Sequence, residues 1–164
     1  MHIDRLERYW LTAVAAMLGA FVAALVASVT IFGIRLPSPV DRINPQQLEE
    51  TEFALPGIRN VGGNRYEVHI VAKMWNYDAG PEAGAPGVPP TIRIPKGSQV
   101  TFFVTSRDII HGFYIEQHSI NLEVVPGQIA RGTVQFNRPG TYKLICNQYC
   151  GVGHQIMYGQ VVVE

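Results

Sequence analysis

The sequence predicts an all-β sandwich or barrel carried on a single N-terminal membrane-spanning helix. Three observations point there. Residues 9–34 contain no charged side chain. Beyond Arg65, apolar and polar residues alternate with a period of two. Gly- and Pro-containing turn signals then punctuate the chain at short intervals, as many short strands require.

The uncharged run is about 26 residues long, and a bilayer core needs about 20 in a helix. Arg8 and Arg35 close its ends, and Tyr9 and Trp10 have the amphipathic rings that collect at a membrane interface. Ala16, Gly19, Ala20, Ala23, Ala24, Ala27 and Ser28 would let a second helix approach closely. A cleaved signal peptide has a shorter apolar core, of about 7–15 residues, although Ala27 and its small neighbours keep that reading open. Arg5 and Arg8 precede the span and only Arg35 follows it closely, which favours a cytoplasmic N-terminus (residues 1–8) and an external C-terminal domain.

Residues 35–64 read as a linker, with Pro37, Pro39, Pro45 and Pro56 followed by Gly57, Gly62 and Gly63, and with a short helix possible over 45–52. The β domain is expected over 65–164. Tyr66, Val68, Ile70 and Ala72 fall on one face of its first strand, and Glu67, His69, Val71 and Lys73 on the other. The Gly- and Pro-rich stretch 78–90 must be a loop. Strands are expected at 91–95, 100–105, 111–116, 120–125, 128–136, 141–146 and 159–163, separated by Lys96-Gly97, Pro126-Gly127 and Pro139-Gly140. About 100 residues is the usual size of such a sandwich.

Thirteen basic and thirteen acidic residues balance, so charge points to no nucleic acid or other polyanionic partner. There are only two cysteines, four positions apart. As a disulfide they would close almost no loop and constrain the unfolded chain little. Their placement suggests a site.

That site is the string C-N-Q-Y-C-G-V-G-H-Q-I-M, from Cys146 to Met157, which holds two thiolates, an imidazole and a thioether in one inter-strand loop. His111 opens a different strand about 35 residues upstream. Thiolate, imidazole and thioether together suit copper better than zinc, which rarely recruits methionine. A mononuclear blue-copper site uses two histidines, one cysteine and a weak methionine, and here there is one cysteine more. Two thiolates can bridge two coppers. Each ion then takes one histidine and one weaker ligand: Met157 for one, and a backbone carbonyl in the tight 146–150 turn, best placed at Gln148, for the other. With every position held by protein, such a centre suits electron transfer and leaves substrate no open coordination site. His2, His69 and His118 have no such company and read as ordinary residues.

The same string, together with D-I-I-H-G-F over 108–113, resembles subunit II of heme-copper cytochrome c oxidases, most closely the short single-span B-family form. The resemblance covers the N-terminal span and nearly all of the sandwich. It implies a cupredoxin-like Greek-key fold, a mixed-valence dicopper CuA centre in this chain, and heme in a partner, subunit I. Electrons would pass from a soluble or membrane-anchored cytochrome c to the CuA centre and on to subunit I, which reduces oxygen. It also implies a prokaryotic plasma membrane, with the C-terminal domain on the outer, periplasmic side. Residue by residue, His111 and His154 become the imidazole ligands, Cys146 and Cys150 the bridging thiolates, Met157 a weak axial ligand and Gln148 a carbonyl donor. Trp75, in K-M-W-N-Y, falls where the family places an aromatic at the surface through which electrons enter.

The chain departs from many family members in three ways. It has one span where many have two. It has neutral Gln148 where many have a glutamate that helps bind an interfacial magnesium, so no such magnesium is expected. The loop 78–90 is longer than the B-family pattern. The rival functions are the CuA-bearing small subunit of a heme-copper nitric oxide reductase and a membrane-anchored copper carrier. The carrier fits less well, because carriers favour open, low-coordinate sites. Nitrous oxide reductase would need a propeller domain, and quinol oxidase subunits lack the cysteines.

Overall fold

A computed structural model describes residues 4–31, 41–85 and 87–164. The chain divides into two units, Met1–Pro37 and Ser38–Glu164. His2, the last three residues of the expected span, Arg35, Pro37 and Pro39 lie outside the described residues.

The first unit is the helix α1, Arg5–Thr30. Asp4 caps it, its carboxylate accepting the Leu6 N–H at 2.8 Å, and so satisfies one of the donors that a helix start leaves unpaired. Twenty-six helical residues rise about 39 Å, enough to cross a bilayer core of about 30 Å. The hydroxyls of Thr12, Ser28 and Thr30 each donate to a carbonyl one turn back at 2.8 Å. The polar groups within this apolar helix are thus paired internally, as a hydrocarbon solvent demands.

The second unit is built of strands β1 (Asp41–Arg42), β2 (Gly57–Gly62), β3 (Arg65–Lys73), β4 (Asn76–Asp78), β5 (Thr91–Ile94), β6 (Ser98–Ser106), β7 (His111–Ile115), β8 (Asn121–Val124), β9 (Gln128–Phe136), β10 (Gly140–Ile145) and β11 (Tyr158–Val163). One sheet runs β1-β9-β6-β3-β2, with β4 folded back on β3; the other runs β5-β11-β10-β7-β8. The pairs β3/β6 and β5/β11 are parallel and the rest antiparallel. This is the two-sheet β-sandwich that the sequence predicts, in the cupredoxin-like form that the resemblance implies. Its interior takes Val68, Ile70, Phe102 and Val104 from the first sheet and Ile92, Phe113, Ile115, Leu144 and Val161 from the second, all fully buried.

The alternation breaks in β3, where Val68 through Ala72 are all buried. The cause lies upstream, in the segment read as linker. Leu48 and Phe53 fold over the outer face of the sheet and pack with Val71 and Ile129, flanked by Ile43 and Phe103. The side chain of His69 is caught between the Phe103 ring, stacked at 4.9 Å, and the edge of Phe53 at 5.5 Å. That segment also supplies β1, a single 3₁₀ turn at Leu48–Glu50 and β2, which pairs antiparallel with β3. The compact unit therefore takes in residues well before Arg65. In β2 the sequence Gly57-Ile58-Arg59-Asn60-Val61-Gly62 has no alternation to betray a strand, because most of it is solvent-facing edge.

Candidate metal centre

Three chain segments meet at one end of the sandwich: the corner between β3 and β4, the bend between β6 and β7, and the loop from Cys146 to Met157. The loop leaves β10 and returns as β11, and the Cys146 N–H donates to the Met157 carbonyl at 3.2 Å, closing its neck. A 3₁₀ turn, His154–Ile156, brings the last two side chains back towards the cysteines.

Inside this loop the sulfurs of Cys146 and Cys150, both free thiols, stand 3.6 Å apart. Around Cys150 Sγ lie His154 Nδ1 at 3.4 Å and Met157 Sδ at 3.7 Å. The Gln148 carbonyl oxygen is 3.3 Å from Cys146 Sγ, while the Gln148 residue is exposed, so the backbone and not the amide side chain faces the thiols. From β7, His111 places a ring nitrogen within 4.8 Å of both cysteine sulfurs. Cys146, Cys150, Met157 and His111 are almost wholly buried and His154 is half-buried.

His111 supplies the sharpest test of fit. Its Nε2 is bonded to Asp108 Oδ1 at 2.8 Å, whereas its Nδ1 is buried with no hydrogen-bond partner. A buried, unpaired imidazole nitrogen beside two thiols is costly unless something binds it. Soft sulfur donors with imidazole nitrogens are a copper-binding set.

The thiols are electrostatically unequal. Burial opposes ionisation of both. At Cys146 the His111 ring and the backbone around Gly112 and Gln148 outweigh it and bring the thiol down to about 6. At Cys150 burial and the neighbouring Cys146 sulfur push it up to about 12. A cation held between the two sulfurs would offset the charge that their burial disfavours.

Several supporting residues escaped the sequence reading. Gly112 lies where the loop crosses β7: a Cβ there would meet the backbone nitrogens of Asn147 and Gln148 at 2.6 and 2.8 Å. Its N–H donates to Cys146 Sγ at 3.4 Å, and its carbonyl accepts from the buried Tyr77 hydroxyl. Asn147 ties the loop to β8 through Asn121 at 2.9 Å. The D-I-I-H-G-F string contained Asp108 and Gly112, but nothing in their spacing announced these contacts. Trp75 stands half-buried at the β3–β4 corner, with its ring against Gly151 and Gly153, and its Nε1 donates to the Cys150 carbonyl at 2.8 Å. The structure therefore gathers Trp75, His111, Cys146, Gln148, Cys150, His154 and Met157 in one place. His69 and His118 lie elsewhere, His69 on the outer face of the sheet and His118 packed against Phe136 and Tyr142.

Residues 85–164 match the family profile described as cytochrome c oxidase subunit II, periplasmic domain. The chain is 36% identical over 163 residues to cytochrome c oxidase subunit 2 of Thermus thermophilus, covering 96% of this chain and 91% of that one. A chain from the cryo-EM structure of a heme-copper terminal oxidase dimer superposes with a TM-score of 0.72 at 34% identity, covering 98% of this chain and all of that one. The periplasmic domain of cytochrome oxidase subunit II from Bradyrhizobium japonicum shares the fold, with a TM-score of 0.51 at 18% identity over 60% of this chain and 83% of that one.

Proposed function

The chain belongs to the cytochrome c oxidase subunit II family, a component of heme-copper oxidoreductase complexes, and from that premise we propose that it receives electrons from a cytochrome c at a dicopper CuA centre and passes them to heme in subunit I for oxygen reduction. Membership implies a copper centre and a subunit I partner, and α1 fits a single-pass membrane protein. The dicopper state, the cytochrome c donor and the orientation, with the β unit outside a prokaryotic plasma membrane, complete the proposal.

The observation that carries it is the convergence of two thiols, the unpaired Nδ1 of His111, His154, Met157 and the Gln148 carbonyl within one buried cluster. A dicopper centre would be held by Cys146, Cys150, His111 and His154, with Met157 and the Gln148 carbonyl as weaker donors, and would supply a one-electron carrier. The residues themselves keep water out and hold the donors still. Cys146, Cys150 and Met157 are at most 2% exposed, and the loop is pinned to β7, β8 and the Trp75 corner. A scaffold that cannot rearrange keeps bond changes between redox states small.

The surface over this end of the sandwich carries several exposed apolar side chains. Tyr149 and Val152 are about four-fifths exposed, and Ile156, Tyr158, Met74 and Ile110 add to them. Exposed apolar side chains grouped around a buried site mark a docking surface. With Trp75 bonded to Cys150 beneath, this face is the one we assign to the donor. The test is rapid mixing of the assembled oxidase with reduced cytochrome c, following copper and heme absorption together. Reduction of this chain's centre before any heme supports the assignment; heme reduced first, with this chain's absorption unchanged, overturns it.

A further inference from the structure

Asp108 lies in the bend between β6 and β7, three residues before His111, and supplies none of the donor atoms above. Its two carboxylate oxygens face different parts of the site. Oδ1 accepts from His111 Nε2 at 2.8 Å, from the Ile109 N–H at 2.7 Å and from the Ser106 hydroxyl at 3.3 Å. Oδ2 accepts the Met74 N–H at 2.7 Å, reaching across to the β3–β4 corner.

Each bond has a consequence. To donate to a carboxylate, Nε2 must carry the ring proton, which leaves Nδ1 with its lone pair available. The same bond stops the ring from turning over and presenting a carbon in place of nitrogen. Holding Met74 holds Trp75, the next residue, whose indole reaches back to the Cys150 carbonyl at 2.8 Å. A circuit of contacts thus runs from His111 through Asp108, Met74 and Trp75 to Cys150, which begins and ends on the thiol–imidazole cluster. The burial of Asp108 works against its ionisation, but the bonds from His111, Met74 and Ile109 hold it below the usual carboxylate range.

We propose that Asp108 is a positioning residue: one carboxylate orients the His111 ring with Nδ1 towards the thiols and fixes the Trp75 corner against the same centre. The metal arm rests on the copper reading above; the ring and corner arms do not. A mere turn-forming role is the rival account, since Oδ1 with the Ile109 N–H is an ordinary side-chain turn. Asparagine would serve that role equally well, because its oxygen can still accept from Ile109. Its amide nitrogen is a donor, however, and cannot accept from both His111 and Met74.

The experiment uses the full chain in detergent, wild-type and Asp108→Asn, both in a Trp10→Phe background so that Trp75 alone emits. In the metal-free wild type, at a pH where the ring is neutral, ¹⁵N ring shifts of His111 should report a single tautomer protonated at Nε2. Asp108→Asn cannot keep both bonds, so either that preference should be lost or, with the amide nitrogen turned to Met74, the Trp75 emission should shift. Copper affinity, measured by chelator competition, should fall about 10- to 100-fold, with an altered copper hyperfine pattern in what still loads. A wild-type His111 protonated at Nδ1 overturns the proposal without any variant, should Asp108→Asn fail to fold. So does an Asp108→Asn protein with the wild-type tautomer, Trp75 emission and copper affinity. Failure of the wild type to bind copper at all would instead overturn the copper reading, and the tautomer and emission would still decide the role of Asp108.

Discussion

Trp75 Nε1 donates to the Cys150 carbonyl at 2.8 Å, across 75 residues of sequence. The bond joins a half-buried indole at the corner of one sheet to the backbone of a cysteine in the loop that closes the other. It braces the Trp75 corner against the loop that carries the thiols.

Trp75→Phe is expected to keep the ring packed on Gly151 and Gly153 while losing the indole donor, at a cost of about 0.5–1.5 kcal/mol. Copper content should hold, and electron transfer from the donor cytochrome should slow. Stopped-flow reduction beside urea unfolding separates the two effects. An unchanged rate in a stable variant would move electron input elsewhere. Because the exposed donor loop, residues 146–157, carries no Asp, Glu, Lys or Arg, the wild-type rate should depend only weakly on ionic strength.

The thiols and the thioether should respond differently to replacement. Cys146→Ser or Cys150→Ser removes one thiolate of the proposed dicopper centre and should leave one copper or none. Met157→Leu conserves volume in a buried site, so it should cost under about 1.5 kcal/mol and retain both coppers with a shifted reduction potential. Metal analysis and redox titration of the three variants test this. Loss of copper from Met157→Leu would make the thioether a holding ligand.

Gly112→Ala should be far more damaging than its size suggests. The new methyl would press on the Asn147 and Gln148 backbone nitrogens, at 2.6 and 2.8 Å, and neither can yield without moving the loop. Overpacking of this kind costs about 1–3 kcal/mol. Copper uptake should fall with it, read by metal content after reconstitution; normal uptake would show a more pliant loop.

His69 should make the copper-free chain acid-sensitive. Burial, and then the Arg59 guanidinium, hold its imidazole below the usual range, against the pull of Glu52 and Glu67. The folded state therefore takes up the proton later than the unfolded chain. The stability that neutral His69 confers is complete above the unfolded pKa of about 6.5 and is lost as pH falls through the lower folded value. Urea midpoints from pH 7 down to pH 5 should drop less steeply in His69→Phe than in the wild type. Equal slopes would place the acid sensitivity in other groups.

The sheets and the donor loop were legible because their signals are local. Period-two runs such as Val100–Val104 and the spacing of Cys146, Cys150, His154 and Met157 lie within single stretches of chain. What stayed hidden depends on distant segments meeting. Nothing in the alternation of β3 reveals that Leu48 and Phe53 come from upstream to cover Val71 and His69. Asp108 and Tyr77 carry no local signal in the sequence. Their roles exist only because β3, β7 and the donor loop converge, putting Asp108 on both His111 and Met74 and Tyr77 on Gly112.

Whether Cys146 and Cys150 hold two coppers between them is tested most directly by metal analysis with electron paramagnetic resonance on the purified, copper-loaded, oxidised chain. Two coppers per chain and one unpaired spin distributed over both nuclei are expected. A single copper with a localised spin, or zinc bound in preference to copper, would contradict the dicopper reading.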